Sequence, residues 1–223
     1  MRDAYPILHE FESEAGSARG HYFHQDLWAA RLIYDRRPDS HLDIGSRIDG
    51  FVANLLTFMP VTVIDVRRLE NDVAGLSFVQ ADATDLNEIP DDSIASLSSL
   101  HAVEHFGLGR YGDPVDPEAP LKALREMERV LTPEGHLYLG VPIGRERLEF
   151  NAHRVFSPFT ILESFSRLDL VSFAFVDDAG NLHSPAEPSM VTTAEYSCGL
   201  FDFTKRTMGD SAQELPVGDP FDL

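Results

Sequence analysis

A short segment, His101 to His105, carries three side chains that could do acid–base chemistry. His101, Glu104 and His105 directly follow residues 94–100, which we predict as a strand. If a helical turn begins there, their spacing of three and four residues places them on one face. Histidine has a pKa of about 6.5, which suits a general base at neutral pH. Either His105 or His101 could therefore take the proton from an acceptor hydroxyl group.

The same segment also allows a divalent metal site or a purely structural set of hydrogen bonds. His153 lies in the loop after the predicted fifth strand, which should neighbour the fourth strand across the site. It could join Glu104, His105 and His101 as nitrogen and oxygen ligands of a metal that lowers the pKa of an acceptor oxygen. The residues leave these alternatives open, and the metal set they suggest is Glu104, His105 and His153.

The spacing H-x-x-E-H in this segment also matches a metalloprotease signature. Such proteases carry the motif inside a long helix. Here a predicted strand precedes the motif, and glycines at positions 107, 109 and 112 oppose a long helix after it. A protease is therefore disfavoured.

Three aspartates, Asp43, Asp65 and Asp82, lie at or near the ends of three successive apolar runs. Gly45 forms a tight turn after the first run. A carboxylate about twenty residues after a glycine turn is where parallel strand–helix–strand units hold a ribose diol. Asp65 occupies that position, so the sequence indicates a nucleotide-like ligand at the carboxyl ends of these strands.

Position 47 narrows the class of ligand. The dinucleotide fingerprint G-x-G-x-x-G needs its middle glycine because the backbone approaches a pyrophosphate there. This chain has Gly45 and Gly50, but Arg47 stands between them. A nicotinamide or flavin dinucleotide is disfavoured, whereas a ligand with an adenosine and no phosphate remains compatible.

These motifs resemble the class I methyltransferases that use S-adenosylmethionine. Asp43-Ile44-Gly45-Ser46 resembles their cofactor turn, Asp65 the acid that holds both ribose hydroxyls, and Asp82 the residue that contacts the adenine amine. The resemblance covers about residues 40–205, and it departs from the family at Arg47 and Asp49, where a glycine-rich turn is usual. The cofactor-binding residues that it implies are Asp43, Gly45, Ser46, Arg47, Asp65, Val66, Ala81, Asp82, Ala83 and Leu100.

More narrowly, the segments HAVEHFGLGRYGDP and VPIGRERLEFNAHRVFSP resemble a methyltransferase-like subgroup known mainly as a domain of unknown function. That likeness implies no substrate. Arg154, next to His153 and before an apolar pair, is a candidate for binding an anionic group of the acceptor. Tyr22 and His24, at the start of a predicted helix, either decorate its N-terminus or form part of a lid over the site.

Alternating strands and helices must position these residues. The apolar periodicity predicts strands at 41–44, 61–65, 76–80, 94–100, 136–141, 170–176 and 196–203, with helices at 21–34, 51–59, 117–131 and 158–168. This alternation implies an α/β, Rossmann-like sandwich, in which helices cover both faces of a mostly parallel, seven-stranded sheet. In the methyltransferases that the chain resembles, the last strand inserts antiparallel between the fifth and sixth.

Length, charge and cysteine content exclude several classes of protein. The 223 residues suffice for one domain, predicted at 21–208 between a flexible lead-in at 1–20 and an acidic flexible tail at 209–223. There are 37 acidic and 18 basic residues, a formal net charge of −19, which disfavours nucleic acid and anionic membranes as partners. With one cysteine, no apolar run of membrane-spanning length and no secretory pattern, we expect a cytoplasmic protein.

We therefore predict a methyltransferase that uses S-adenosylmethionine and acts on a small-molecule or sugar-containing acceptor, most readily at oxygen. The alternative is a non-catalytic binding or scaffold protein that keeps the fold without the cofactor chemistry.

Overall fold

A central sheet runs through the computed structural model, which describes Tyr5 and residues 15–207. Numbered in chain order, the strands are β1 (His41–Ile44), β2 (Val61–Asp65), β3 (Leu76–Gln80), β4 (Ile94–Leu100), β5 (Leu131–Ile143), β6 (Arg147–Glu149), β7 (His153–Val155), β8 (Leu168–Val176), β9 (Leu182–His183) and β10 (Ser197–Lys205). Eight of them form the sheet, in the order β3-β2-β1-β4-β5-β10-β8-β9, while β6 and β7 form a separate hairpin.

The direction of the strands confirms the predicted topology. Strands β1 to β5 pair in parallel. Strand β10 inserts between β5 and β8 and runs antiparallel to both. This is the insertion that the resemblance implied.

In the described part of the chain, four α-helices accompany the sheet, namely α1 (His21–Arg36), α2 (Ala53–Leu55), α3 (Ala119–Val130) and α4 (Pro158–Glu163). A π-helical segment at Ile48–Val52 leads into α2, and single 3₁₀ turns lie at Val103–His105 and Pro188–Val191. In α3 the buried positions recur every three or four residues, which is the pattern of a helix with one face against a core. Ser157 caps α4 by accepting a hydrogen bond from the Phe159 N–H group.

Buried apolar side chains lie on both faces of the sheet, as predicted for an α/β sandwich. On one face, Ala29 and Ile33 of α1 and Leu55 of α2 pack with residues of β2, β4 and β5. On the other face, Leu124 and Met127 of α3 belong to a larger cluster that extends over β4, β5, β8 and β10. The sheet is thus fixed from both sides, and its carboxyl edge is held rigidly.

Two predicted helices and the predicted number of strands were wrong, and the strand expected at 136–141 is longer, from Leu131 to Ile143. The helix expected at 51–59 is instead the π-helical segment Ile48–Val52 followed by the short α2, so the helical region starts earlier and ends sooner. Gly50 lets the π-helical segment lie close to α1, since a Cβ at this position would clash with the Asp26 carboxylate. The helix expected at 158–168 ends at Glu163, and Leu168 already begins a strand. The sheet has eight strands rather than seven because the short β9 pairs with β8.

The predicted tail at 209–223 and most of the predicted lead-in at 1–20 lie outside the described residues. No helix within the described ranges combines the length and the apolar composition needed to cross a membrane.

Candidate functional site

One open cleft lies where β1, β2, β3 and β4 end. It contains about 810 Å³ of unfilled space, open solvent at its mouth included. Its lining includes the predicted cofactor residues Gly45, Asp65, Val66, Ala81, Asp82 and Ala83 and the predicted catalytic residues His101 and His105. Asp43, Ser46, Arg47, Leu100, Glu104, His153, Arg154, Tyr22 and His24 are not among the lining residues.

The floor of the cleft is the turn after β1, which needs a glycine. Gly45 has a φ of 72°, and a Cβ there would lie 2.9 Å from the Cβ of Ala102. The next residue, Ser46, accepts a hydrogen bond at Oγ from the Leu100 N–H group over 2.9 Å. The turn is therefore fastened to the end of β4, and the empty space above Gly45 is kept open.

Asp43 lies behind the turn and holds it from inside. Its carboxylate accepts hydrogen bonds from the Ser46 N–H at 3.0 Å, the Ser46 hydroxyl at 2.5 Å and the Ser98 hydroxyl at 2.6 Å. Because Ser98 donates its proton to Asp43, its oxygen is left to accept from Nε2 of the buried His41, whose Nδ1 then accepts from Ser96. Burial raises the pKa of Asp43 to about 6, against the effect of these hydrogen bonds, and lowers that of His41 to about 3.

Asp65, the predicted ribose ligand, is paired with an arginine that sequence reasoning missed. Its carboxylate accepts hydrogen bonds from the Arg67 N–H at 2.8 Å and from the Arg67 guanidinium at 2.9 and 2.6 Å. The guanidinium carbon also lies 4.5 Å from the ring centroid of Tyr111. A diol that binds Asp65 would therefore compete with this side chain for the carboxylate.

Asp82 follows β3 and presents one carboxylate oxygen to the cleft. Its Oδ1 accepts hydrogen bonds from the N–H and the hydroxyl of Thr84, at 2.9 and 2.8 Å. Within the described part of the chain no hydrogen bond reaches Oδ2. Ala81 and Ala83, which flank Asp82, also line the cleft, and their small side chains leave room for a flat ring.

His101 follows β4 in a conformation that is rare outside glycine, with a φ of 52°. Its Nδ1 lies 2.8 Å from Oε1 of Glu104, and both side chains are buried. Nε2 of His101 and Oε2 of Glu104 have no hydrogen-bond partner among the described residues. Burial disfavours the charged ring, but the Cys198 sulfur and the Glu104 carboxylate outweigh it and raise the pKa of His101 well above its ordinary value.

His105 lines the same cleft and is oriented by the backbone. Its Nδ1 lies 2.6 Å from the carbonyl oxygen of Ala152, so that nitrogen carries the proton and Nε2 is left as an acceptor. Nε2 lies 3.8 Å from Oε1 of Glu104, and the His105 side chain is 17% exposed. The single turn at residues 103–105 thus brings His101, Glu104 and His105 together, as predicted.

The predicted metal set of Glu104, His105 and His153 does not form a ligand cluster. Among the described residues, the three donor atoms that lie within 4.8 Å of one another belong to His21, His101 and Cys198. His105 has turned its Nδ1 towards a backbone carbonyl, and the ring of His153 packs on Tyr196 with 5.0 Å between centroids. Burial also lowers the pKa of His153.

Arg154 fastens the turn that carries the histidines. Its Nη1 donates to the carbonyl oxygen of Phe106 at 2.6 Å and lies 3.4 Å from that of Glu104. Its guanidinium is therefore engaged by the backbone, which favours a positioning role over the predicted binding of an acceptor anion.

The start of α1 covers one side of the site. The Tyr22 ring lies 5.1 Å from that of His101, and the Arg47 guanidinium lies 4.8 Å from the Tyr22 centroid. His24 instead packs edge-on against Phe23. Arg47 also pairs with Asp49 at the surface, and it is not among the residues that line the cleft.

Sequence reasoning missed four residues of this region, namely His21, Arg67, Tyr111 and Cys198. Tyr111 was signalled only by its place in the glycine-rich segment after the histidines. Asp113 shapes that segment by accepting N–H groups from Gly107 and Tyr111. No local signal marks His21 and Cys198 as neighbours, because 177 positions separate them in the chain.

Comparison with known proteins gives a family and a fold. A family model described as "Caenorhabditis protein of unknown function, DUF268" matches residues 72–192, which is more than half of the chain. No curated protein matches the sequence.

Solved structures with this fold include several methyltransferases. One is the 1,6-didemethyltoxoflavin-N1-methyltransferase of Burkholderia thailandensis, bound to its substrate and S-adenosylhomocysteine, with a TM-score of 0.59 and 16% identity over 82% of this chain and 79% of that one. A second is the N-methyltransferase NodS of Bradyrhizobium japonicum with S-adenosylhomocysteine, with a TM-score of 0.58 and 16% identity over 84% and 89%. A third, the [4+2]-cyclase SpnF, has a TM-score of 0.58 and 15% identity over 86% of each chain. At these identities the likeness establishes the class I methyltransferase fold, and the cyclase is a reminder that one fold serves different chemistry.

Proposed function

This chain belongs to the DUF268 family, whose function is unknown, and we propose that it is a methyltransferase that uses S-adenosylmethionine. One observation carries the proposal, namely the order of side chains along the carboxyl edge of the sheet. Asp82 follows β3, Asp65 follows β2, Gly45 follows β1 and His101 follows β4, and these four strands are neighbours in that order. Two carboxylates thus lie at one end of the cleft and the imidazoles at the other, with the open turn between them.

The residues of the cleft fit the proposed cofactor. Asp65 and the free Oδ2 of Asp82 are acceptors for the hydroxyl and amine donors of an adenosine, and the turn at Gly45 has no side chain to obstruct it. The described residues that line the cleft also include Asp113 and Asp116, and Arg67 is the one arginine among them. An acidic cleft attracts a ligand that bears positive charge. When bound, S-adenosylmethionine supplies a methyl group on a positively charged sulfur.

The protein's own contribution to the reaction is to hold and deprotonate the acceptor. We infer that His105 is the general base, because its side chain lines the cleft and the Ala152 carbonyl engages Nδ1, which leaves Nε2 as the acceptor. The proton of an acceptor hydroxyl would move to Nε2 as the oxygen attacks. Glu104, 3.8 Å from Nε2, stabilises the imidazolium that forms. This arrangement supports oxygen as the acceptor atom, in a small molecule or a sugar-containing metabolite.

The remaining candidate residues surround this base. Arg154 and His153 position the turn and the wall of the site, and Tyr22 contacts His101 from the start of α1, where an acceptor would be covered. His101 is fixed by Glu104 but is more deeply buried than His105, with 4% of its side chain exposed against 17%.

The second candidate is a non-catalytic binding or scaffold protein with the same fold. The observation in its favour is the Arg67 guanidinium, which already occupies the Asp65 carboxylate. If that pair is permanent, no ribose can bind there.

A melting experiment on the purified full chain separates the two candidates. A ligand that binds only the folded state must raise the melting temperature. The methyltransferase proposal predicts a rise with both S-adenosylmethionine and S-adenosylhomocysteine, whereas no rise with either at millimolar concentration would favour the scaffold. Incubating metabolite extracts with a labelled methyl donor would then identify the acceptor.

A further inference from the structure

Three elements that are distant in the chain bring two histidines and the only cysteine together beside the cleft. His21 begins α1, His101 follows β4 and Cys198 lies in β10. One donor atom of each residue lies within 4.8 Å of the donor atoms of the other two. We propose that these side chains bind one zinc ion through two nitrogens and one sulfur.

The state of His101 points to a ligand independently of this proximity. Its side chain is 4% exposed, and Nε2 has no hydrogen-bond partner among the described residues. The other ring nitrogen, Nδ1, is held by Glu104 at 2.8 Å. A carboxylate on one nitrogen is the usual way in which proteins orient a histidine that binds metal through the other nitrogen. An unpartnered buried nitrogen is otherwise unfavourable, and a metal ion would satisfy it.

His21 is placed beside the other proposed histidine ligand. Its ring stacks on that of His101, with 5.3 Å between centroids and 9° between planes, and Tyr196 packs beside it. This packing holds the His21 imidazole next to His101.

Cys198 supplies a sulfur that a substrate cannot reach. It is fully buried in the sheet, opposite Pro142 of β5 and Val176 of β8. Its sulfur makes long contacts of 3.8 Å with the Gln25 side chain and with the carbonyl oxygen of Gly199. A nucleophilic cysteine needs access to its substrate, whereas a metal ligand does not. The buried position therefore favours binding of a metal over covalent catalysis.

The donor types select zinc over magnesium or calcium. Two imidazoles and one thiolate are typical of zinc, whereas magnesium and calcium prefer oxygen ligands. Zn–N bonds of about 2.0 Å and Zn–S bonds of about 2.3 Å place tetrahedral donors roughly 3.3 to 3.6 Å apart. The three donor atoms lie within 4.8 Å of one another, so we expect zinc to draw them closer together.

The three ligands leave one tetrahedral position, and His101 itself lines the cleft. We expect this position to face the cleft and to take water or an oxygen of the acceptor. The acceptor part of this expectation rests on the proposed methyltransferase function, whereas zinc binding does not.

The test measures zinc on the purified full chain without any methyl donor. The protein is stripped with a chelator, equilibrated with zinc sulfate and freed of excess metal, and the zinc content is then determined. We expect about one zinc per chain in the wild type and at least a fivefold loss in His21→Ala, His101→Ala and Cys198→Ala. His153→Ala and the surface variant His183→Ala should keep their zinc, because neither side chain belongs to the cluster.

Cobalt provides the second readout, since a thiolate ligand gives cobalt a near-ultraviolet charge-transfer band. That band should be present in the wild type and lost in Cys198→Ala. A wild type that retains no zinc, or a Cys198→Ala protein that keeps both zinc and the cobalt band, would overturn the proposal. If Cys198→Ala does not fold, as judged by circular dichroism, the His21→Ala variant tests the proposal instead. A His21→Ala protein that retains one zinc per chain would overturn the proposal. Because methyl transfer is not measured, this proposal and the methyltransferase proposal can fail separately.

Discussion

The pair of Asp65 and Arg67 shows how single residues set the properties of the proposed cofactor site. The Asp65 carboxylate lies at the end of β2, as predicted, but it accepts three hydrogen bonds from Arg67. The guanidinium side chain is 52% exposed and that of Asp65 is 14% exposed. Such a partly exposed pair contributes about 1 kcal/mol or less. A ribose can therefore displace the arginine at modest cost.

Removing Arg67 should strengthen cofactor binding. In Arg67→Ala the Asp65 carboxylate no longer has a competing partner, so we expect the dissociation constant for S-adenosylmethionine to fall by about twofold to fivefold. Titration calorimetry on the variant and on Arg68→Ala, whose side chain pairs with Glu70 at the surface, measures this difference. Weaker binding in Arg67→Ala alone would mean that Arg67 holds the ligand itself.

Removing the proposed base should slow the reaction without weakening the cofactor. In His105→Gln the amide cannot take the acceptor proton, so we expect kcat to fall by about 10²-fold or more while the affinity for S-adenosylmethionine is retained. Initial rates with the acceptor found in the extract screen give kcat, and His183→Gln is the matched surface control. A His105→Gln enzyme with the kcat of the control would exclude this residue as the base.

At the scale of elements, the turn after β1 is held by a chain of buried polar groups on two strands. Ser96 and Ser98 of β4 bond to His41, and Ser98 also bonds to Asp43, both of β1. The parallel pairing of β1 with β4 places Asp43 opposite Ser98. The strands thus provide the register, and the side chains make the turn rigid.

Ser98→Ala should destabilise the protein measurably. The substitution removes one hydrogen bond each from the buried carboxylate of Asp43, which keeps Ser46, and from the ring of His41, which keeps Ser96, and this should lower the free energy of unfolding by about 1 to 3 kcal/mol. Ser93→Ala is the control, since the Ser93 hydroxyl only donates to the exposed carbonyl of Pro90. Urea unfolding that gives the two variants equal stability would contradict the role of Ser98.

His41 should make stability depend on pH in a defined direction. Burial lowers its pKa from 6.5 to about 3, so below pH 6.5 His41 binds a proton in the unfolded chain but not in the folded chain. The wild type therefore loses about 1.4 kcal/mol per pH unit from this residue between pH 6 and pH 4. His41→Gln lacks this loss, so its stability deficit relative to the wild type should shrink at that rate.

Asp43 acts with the opposite sign, since its raised pKa of about 6 stabilises the folded protein as the pH falls towards 3.8. The wild type and His41→Gln share the contribution of Asp43, so it cancels when the free energies of unfolding of the two proteins are subtracted. A difference that stays constant from pH 6 to pH 4 would show that His41 is not buried as a neutral ring.

At the scale of the whole molecule, a feature could be predicted from the sequence when a local pattern of residues determines it. Apolar runs predicted strands β1 to β3 to the residue, because these strands are short and end at acids or turns. Helix lengths were overestimated at 51–59 and 158–168, because an apolar periodicity continues after the chain has left the helix. The cluster of His21, His101 and Cys198 could not be found, because it exists only once β10 is inserted beside β5 and α1 packs over both.

The central claim is that the carboxyl edge of this sheet binds S-adenosylmethionine through Asp65, and titration calorimetry on the full chain tests it most directly. We expect the wild type to bind one equivalent of S-adenosylmethionine per chain. In Asp65→Ala the loss of charged hydrogen bonds should cost about 1.5 to 3 kcal/mol, which weakens binding by roughly tenfold to a hundredfold. Absence of binding to the wild type, or equal affinity in the two proteins, would contradict it.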